Sequence, residues 1–329
     1  MTTPVNLPPV VLAPLAGGPS TPELAAAVAG AGALGFVAGA YLPPDALEER
    51  LARARALTDG LLGVNLFVLE ERPVDEEAVA RYARRLAAEG HELGEPRFDD
   101  DGLEQKVEIA LRAEVEVVST TFGPPPRGFV AAAHAAGKQV WAAVAAVADA
   151  QIAVEAGADV LVVQGEEAGG HRATFDDRDE DDAPLLELLG AIRAASLDIP
   201  LVAAGGIVDR ASAEAARSAG AVAVQAGTAF LLCPEAGTST PHRAAIERGG
   251  ETAFTRAFTG RRARGIVNRF MREHPDAPSA YPHVHHLTAP MRAAARAAGD
   301  AERINLWAGK GFARVRARPA AEVVAELSP

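Results

Sequence analysis

Val160-Leu161-Val162-Val163-Gln164, followed by Gly165-Glu166-Glu167-Ala168-Gly169-Gly170-His171-Arg172-Ala173-Thr174-Phe175, is the stretch on which the fold turns. Four apolar residues end in a polar one and then in glycine. A short apolar run closed by glycine reads as a buried strand. The glycines beyond it let backbone approach a ligand closely. His171 then lies on a loop just past a strand end. Its ordinary pKa suits proton transfer near neutrality. The plain alternative is a loop histidine that only bonds backbone. The glycines and the neighbouring strand ends favour a functional one.

The same rhythm repeats in both directions. Upstream, strands are predicted at Val10–Ala16, Leu34–Ala40, Leu61–Val68, Val115–Phe122 and Gln139–Val147, separated by Ala-rich helical stretches. Thr21-Pro22-Glu23 reads as a helix start, with threonine at the N-cap and proline in the first turn. Downstream come a helix at Ala183–Ser196, a seventh strand at Ile199–Ala204, a helix at Arg210–Ala219 and an eighth strand at Ala221–Ala226. Eight strand–helix alternations with short connections predict an α/β chain folded as a (β/α)8 TIM barrel. A doubly wound open sheet is the competing architecture. Ala16-Gly17-Gly18-Pro19-Ser20-Thr21, after the first strand, is not the G-x-G-x-x-G of a dinucleotide site.

After Cys233 the rhythm breaks. An Arg-rich stretch, Thr252–Glu273, reads as helical. A Pro/His segment, Pro275–Pro290, follows, and then an Ala-rich helix. Residues 233–314 are therefore expected to form a mainly helical insertion capping the barrel mouth, with the barrel over residues 1–232 and 315–329. His283, His285 and His286 form H-x-H-H, but no cysteine or H-E-x-x-H helix supports a metal site, and none is expected. The acidic run Asp176–Asp182 lacks the alternating pattern of a calcium loop and reads as a solvated loop.

The formal net charge of −12 over 329 residues argues against nucleic-acid partners and anionic membranes. No apolar stretch is bounded like a membrane span. MTTPVNLPPVV lacks a basic leader region, and Cys233 is the lone cysteine, so a cytoplasmic location is expected.

In a barrel of this kind the site lies at the carboxyl ends of the strands. Asn65, Gln164, His171, Gly205, Gly206, Gln225, Gly227 and Thr228 fall there. The loops after the seventh and eighth strands commonly hold a phosphate through backbone N–H groups. Asn65 and Gln164 offer donors and acceptors, as a heterocycle edge demands. A phosphorylated flavin fits that set. Other barrel chemistries lack their residues. A Schiff-base aldolase needs a lysine at a strand end, and Lys106, Lys138 and Lys310 are placed elsewhere. No cysteine follows the sixth strand, and Glu166 and Glu167 are too close in sequence to flank a glycosidic bond.

These pieces resemble the nitronate monooxygenase family, formerly 2-nitropropane dioxygenases. The matching elements are Leu12-Ala13-Pro14-Leu15-Ala16-Gly17-Gly18-Pro19-Ser20-Thr21, Gly63-Val64-Asn65-Leu66-Phe67 and Gln164-Gly165-Glu166-Glu167-Ala168-Gly169-Gly170-His171. Ala203-Ala204-Gly205-Gly206-Ile207, Gln225-Ala226-Gly227-Thr228-Ala229-Phe230-Leu231, Ala280-Tyr281-Pro282 and Leu306-Trp307-Ala308-Gly309 also match. The resemblance implies non-covalent FMN, with its phosphate at Gly206 and Gly227-Thr228. Asn65, Gln164 and Gly169 would touch the rest of the cofactor. Ala13, Pro14, Leu15, Gly170, Gly205, Gln225 and Ala226 complete the implied contacts. It further implies oxidation of alkyl nitronates by O2 to a carbonyl compound and nitrite, with His171 as base or hydrogen-bond donor. Leu15 stands where many members carry methionine. Flavin enoyl-acyl-carrier-protein reductases and NAD(P)H:quinone reductases share the fold and cofactor and are the alternative functions. A flavin-binding protein without turnover is a third.

Overall fold

The computed structural model describes residues 7–178 and 182–329. Its strands in chain order are β1 (Val10–Leu12), β2 (Gly35–Ala38), β3 (Leu62–Phe67), β4 (Val117–Thr121), β5 (Gln139–Val144), β6 (Val160–Gln164), the two-residue β7 (Gly170–His171), β8 (Leu201–Ala204), β9 (Ala223–Ala226), β10 (Thr252–Thr255) and β11 (Ala263–Ile266). Eight of them form one parallel sheet in the order β1-β9-β8-β6-β5-β4-β3-β2. The ring closes between β1 and β2, where Leu12 N donates to Leu34 O at 2.9 Å and Leu34 N to Val10 O at 3.1 Å. The chain is thus a (β/α)8 barrel with an added roof.

The period of two along each strand decides what faces inward. On β6, Leu161 and Val163 pack outward against helices, while Val160 and Val162 join Val11, Phe36, Val117, Trp141, Val202 and Ala223 inside the barrel. Trp141 fills that interior, 5.9 Å from the Phe36 ring, and its indole N–H donates to Gln139 Oε1 at 3.0 Å. Continued to the carboxyl ends, the alternation turns Asn65, Ser119, Thr121, Gln164 and Gln225 toward the axis. The apolar filling ends there and a polar layer begins.

The surrounding helices start where the sequence marks them. Thr21 caps Pro22–Gly30 by accepting from Leu24 N, Asp75 caps Glu76–Ala88 from Ala78 N, and Asp209 and Ser212 form a capping box on Arg210–Ser218.

The tail departs from its reading in two places. Thr252–Glu273 is not one helix: it holds β10 and β11, and only Arg269–Glu273 is helical. β10 pairs antiparallel with β11, and β11 pairs with β7. The strands exist because of that long-range pairing, so local composition misleads. The helix expected after Pro290 begins at His283 and runs to Ala297 with Pro290 inside it. The backbone there is served from outside, since Gly94 N donates to Leu287 O at 2.9 Å.

Two other expectations fall partly outside the described residues: the first six positions of the N-terminal segment, and Asp179, Glu180 and Asp181 of the acidic run. The described acids of that run are not simply solvated. Asp177 faces Arg261 at 4.0 Å and accepts from Ser279 Oγ at 3.1 Å, and Asp182 pairs with Arg172 at 3.5 Å and also with Arg262. Arg261, Arg262 and Ser279 lie far along the chain, out of reach of a local reading.

Candidate active site

A cavity of about 420 Å³ opens at the carboxyl ends of the barrel strands. Every candidate from the sequence lines it: Ala13, Pro14, Leu15, Asn65, Gln164, Gly169, Gly170, His171, Gly205, Gly206, Gln225, Ala226, Gly227 and Thr228. The barrel supplies one side and the tail the other.

Asn65 is 3% exposed, and its Nδ2 donates to Ser119 Oγ and Thr121 Oγ1, each at 2.9 Å. Both of its donor hydrogens are thereby used. What Asn65 presents to the cavity is the acceptor Oδ1. Gln164 is more committed than its sequence suggests. Its Nε2 donates to His171 O at 2.9 Å, and its Oε1 accepts from Ala173 N at 2.9 Å and Arg172 Nη1 at 3.1 Å. The Gln164 amide therefore pins the following loop and keeps a single N–H in reserve. Gln225 makes no side-chain hydrogen bond among the described residues and is free to meet a ligand.

The two glycine loops stand side by side. Gly205 and Gly206 have φ of +113° and +71°, the left-handed region that favours glycine. The N–H groups of Gly206 and Gly227 have no partner among the described residues. A Cβ on Gly227 would lie 2.9 Å from the Leu15 side chain. Thr228 Oγ1 accepts from Gly309 N at 3.0 Å, which ties the tail to this corner.

His171 is not on a loop. It belongs to β7 and pairs with Ala263 of β11. Its Nε2 lies 2.9 Å from Thr259 Oγ1, and that hydroxyl is directed at Arg261 O, 3.3 Å away. With the Thr259 hydroxyl turned to Arg261 O, a proton on Nε2 would be donated to Thr259 and the lone pair would fall on Nδ1. The rings of Phe122, Tyr281 and Trp307 surround the imidazole at centroid distances of 5.8, 5.8 and 5.4 Å. Tyr281 meets Tyr41 hydroxyl to hydroxyl at 3.2 Å, and Tyr41 stacks on His285 at 4.2 Å. Burial, with the Arg261 and Arg292 guanidiniums nearby, pushes His171 down to about 3. It is a neutral imidazole at any ordinary pH.

The sequence profile of the nitronate monooxygenase family matches residues 1–329. The chain belongs to that family. It is a flavin-dependent oxidoreductase. The nitronate monooxygenase of Pseudomonas aeruginosa is 38% identical over 333 residues, covering 97% of this chain and 95% of that protein. A probable nitronate monooxygenase of Bacillus subtilis is 36% identical over 312 residues, covering 92% of this chain and 90% of that protein. Among solved structures, the nitroalkane oxidase of Streptomyces ansochromogenes superposes with a TM-score of 0.93 at 46% identity, covering 98% of this chain and 94% of that one. FabK of Thermotoga maritima superposes at 0.77 with 24% identity, covering 97% of this chain and 91% of that one, and so shares the fold.

The cavity of this nitronate monooxygenase family member suits a flavin phosphate. Unpaired backbone N–H groups at Gly206 and Gly227 are the donors an anion needs. Asn65 Oδ1 suits a ring N–H. Among the described residues no group of three or more His, Cys, Asp or Glu is placed to hold a metal ion. Of the H-x-H-H histidines, His285 lines the cavity, while His286 faces Asp99 at 3.7 Å. Cys233 is buried, its thiol pushed up to about 12. Among the described residues no helix is long and apolar enough to cross a membrane.

Sequence reading missed the roof. Tyr41, Phe122, Thr259, Arg261, Tyr281, His285, Arg292 and Trp307 surround His171 or the cavity beside it. Of these, Tyr281 and Trp307 lay in stretches matching the family, Ala280-Tyr281-Pro282 and Leu306-Trp307-Ala308-Gly309, and His285 stood out only as part of H-x-H-H.

The buried histidines carry a stability consequence. His171, His242 and His285 are held down to about 3, 4 and 2, in each case chiefly by burial. In the unfolded chain each titrates near 6.5. Their contribution is therefore complete above that pH and is lost as the pH falls, because only the unfolded chain takes up the protons. Between pH 6 and 4 each histidine should weaken folding by about 1.4 kcal/mol per pH unit at most. Urea midpoints taken at pH 7, 6 and 5 should fall steeply. A flat series would mean that the imidazoles are charged in the fold.

Proposed function

We propose that this protein oxidises alkyl nitronates, such as propionate 3-nitronate, at FMN with O2, giving a carbonyl compound and nitrite. The observation that carries this reading is the neutral His171 set beside the buried guanidiniums of Arg261 and Arg292. Such a surrounding opposes formation of an imidazolium but welcomes an anion. A nitronate arrives already ionised, whereas a neutral nitroalkane must first give up its α-proton.

The bound flavin supplies the acceptor for the substrate's electrons and their route to O2. The chain's residues do the rest. Gly206 and Gly227 N–H groups grip the phosphate, which suits FMN better than a dinucleotide. Asn65 Oδ1 accepts from the ring edge. Phe122, Tyr41, Tyr281 and Trp307 exclude water. His171 Nδ1 meets the substrate, its ring held by the Nε2 bond to Thr259. In this reading residues 233–314 act as a lid, the substrates are small molecules, and neither nucleic acid nor membrane takes part. A cytoplasmic location is part of the same reading.

The purified protein should be yellow and release FMN rather than FAD on denaturation. Mixed without oxygen, an alkyl nitronate should bleach the flavin absorbance within the turnover time, and NAD(P)H should do so slowly or not at all. Rapid reduction by NAD(P)H with no response to nitronate would move the function to the reductases that share this fold.

A further inference from the structure

One helix face roofs the cavity. His285, Ala289, Arg292 and Arg296 recur along His283–Ala297 at the spacing that places them on one side, and all four line the cavity. Arg292 is 7% exposed. Its Nε donates to Thr288 Oγ1 at 3.0 Å and its Nη2 to His285 O at 2.8 Å. Those two bonds fix the plane of the guanidinium and leave Nη1 without a partner among the described residues.

Arg292 differs from the other buried arginines around the site. Arg264 has Glu166 at 2.8 Å, Arg172 has Asp182 at 3.5 Å, and Arg261 has Asp177 at 4.0 Å. No carboxylate lies within ion-pair distance of Arg292 among the described residues. Its charged neighbour is another cation, Arg296, and the Tyr41 and Tyr281 beside it are neutral phenols at working pH. Burial pushes Arg292 down to about 10, so it is still a cation at neutral pH. A buried cation without a counter-ion is destabilising. The missing charge has to come from what the cavity binds.

We propose that Arg292 holds the anionic head of the substrate through Nη1 and sets the enzyme's preference for nitronates over their neutral parents. This rests on the function proposed above. Both candidate counter-ions, the substrate and the reduced flavin, are delocalised anions, and the test separates them. Arg292 and His171 line the same cavity, and the Tyr281 ring lies between them, 5.8 Å from His171 and 6.3 Å from the His285 whose carbonyl Arg292 bonds, so the anion it holds lies at the reacting end of the cavity. Its guanidinium fork matches two oxygens on one planar centre.

The test compares the FMN-loaded wild type with Arg292→Met, which keeps length and removes charge. The substrates are propane-2-nitronate and 2-nitropropane. The kcat/KM for the nitronate should fall about 10²-fold, and that for the neutral parent by less than about 3-fold, so that the preference collapses. Nitrate, a planar anion that does not react, should perturb the flavin spectrum of the wild type and bind about 10²-fold more weakly to the variant. Arg292→Gln carries the same expectation should the methionine variant not fold. Equal losses on both substrates, or unchanged nitrate affinity, would overturn the assignment. A lowered flavin reduction potential with nitrate binding intact would overturn it too, assigning Arg292 to the reduced cofactor. A wild type inert toward nitronate would defeat the functional reading alone. Nitrate titrations of the two proteins would then decide: binding lost in the variant sustains the assignment, and equal or absent binding ends it.

Discussion

His171→Asn should keep its flavin and lose activity on neutral nitroalkanes by about 10²-fold at most, the low end of what a positioned base contributes, because an imidazole held near 3 is a weak base. Asparagine retains a donor for Thr259 but has no lone pair of imidazole basicity at the place of Nδ1. A nitronate needs no base, and with the ring proton committed to Thr259 the Nδ1 atom has none to donate, so the loss on nitronates should be smaller, about 1 kcal/mol at most. The proposed phosphate and ring-edge contacts at Asn65, Gly206 and Gly227 lie at the ends of β3, β8 and β9, so cofactor content should not change. Because burial and the two guanidiniums put His171 near 3, its ionisation falls below the pH range in which the enzyme is assayed. A base is active once deprotonated, so the His171 limb should be absent between pH 5 and 9, and activity through it flat. Wild-type rates on both substrates in His171→Asn would make the residue structural. Loss of flavin would make it part of the cofactor's hold.

Gly206→Asp should leave a folded barrel that purifies without flavin. At φ +71° aspartate is among the less strained replacements, and its Cβ would lie 3.1 Å from the Glu167 side chain. Glu167 itself is engaged with Leu185 N at 3.0 Å and does not turn away. A carboxylate would then stand where the phosphate is proposed to sit. At about 5 Å and an effective dielectric near 20, repulsion of a doubly charged phosphate is about 7 kcal/mol, so affinity should drop by at least about 10³-fold. Gly206→Ala separates charge from backbone strain, and should cost roughly 1 kcal/mol. Flavin content per protein, read from the visible absorbance after gel filtration, decides the matter. Full flavin occupancy in Gly206→Asp would move the phosphate elsewhere.

The barrel was legible because its signals are local. Each strand is an apolar run that ends at a polar or glycine residue, and period two alone turns Asn65, Gln164 and Gln225 inward. The glycines of β8 and β9 announce their loops by composition. The roof was not legible for the opposite reason. β10 and β11 lie within an Arg-rich stretch and are strands because they pair with each other and β11 finds β7, some ninety residues earlier in sequence. Arg292 reads as an ordinary surface residue of an Ala-rich helix until the neighbouring Tyr41 and His285 are seen to bury it. Gln164 was visible as a site residue, but its amide is largely spent on Ala173, Arg172 and His171, contacts no residue count predicts.

The pairing of Gly170–His171 with Ala263–Arg264 has one more consequence. The histidine is stitched to the same sheet that covers the cofactor, and Ile266 N in turn donates to Leu306 O at 2.8 Å on the segment that reaches Gly309. A swing of this cover wide enough to exchange flavin must either unzip those backbone bonds or carry His171 off with it. Opening the cover and displacing the histidine would then be a single event.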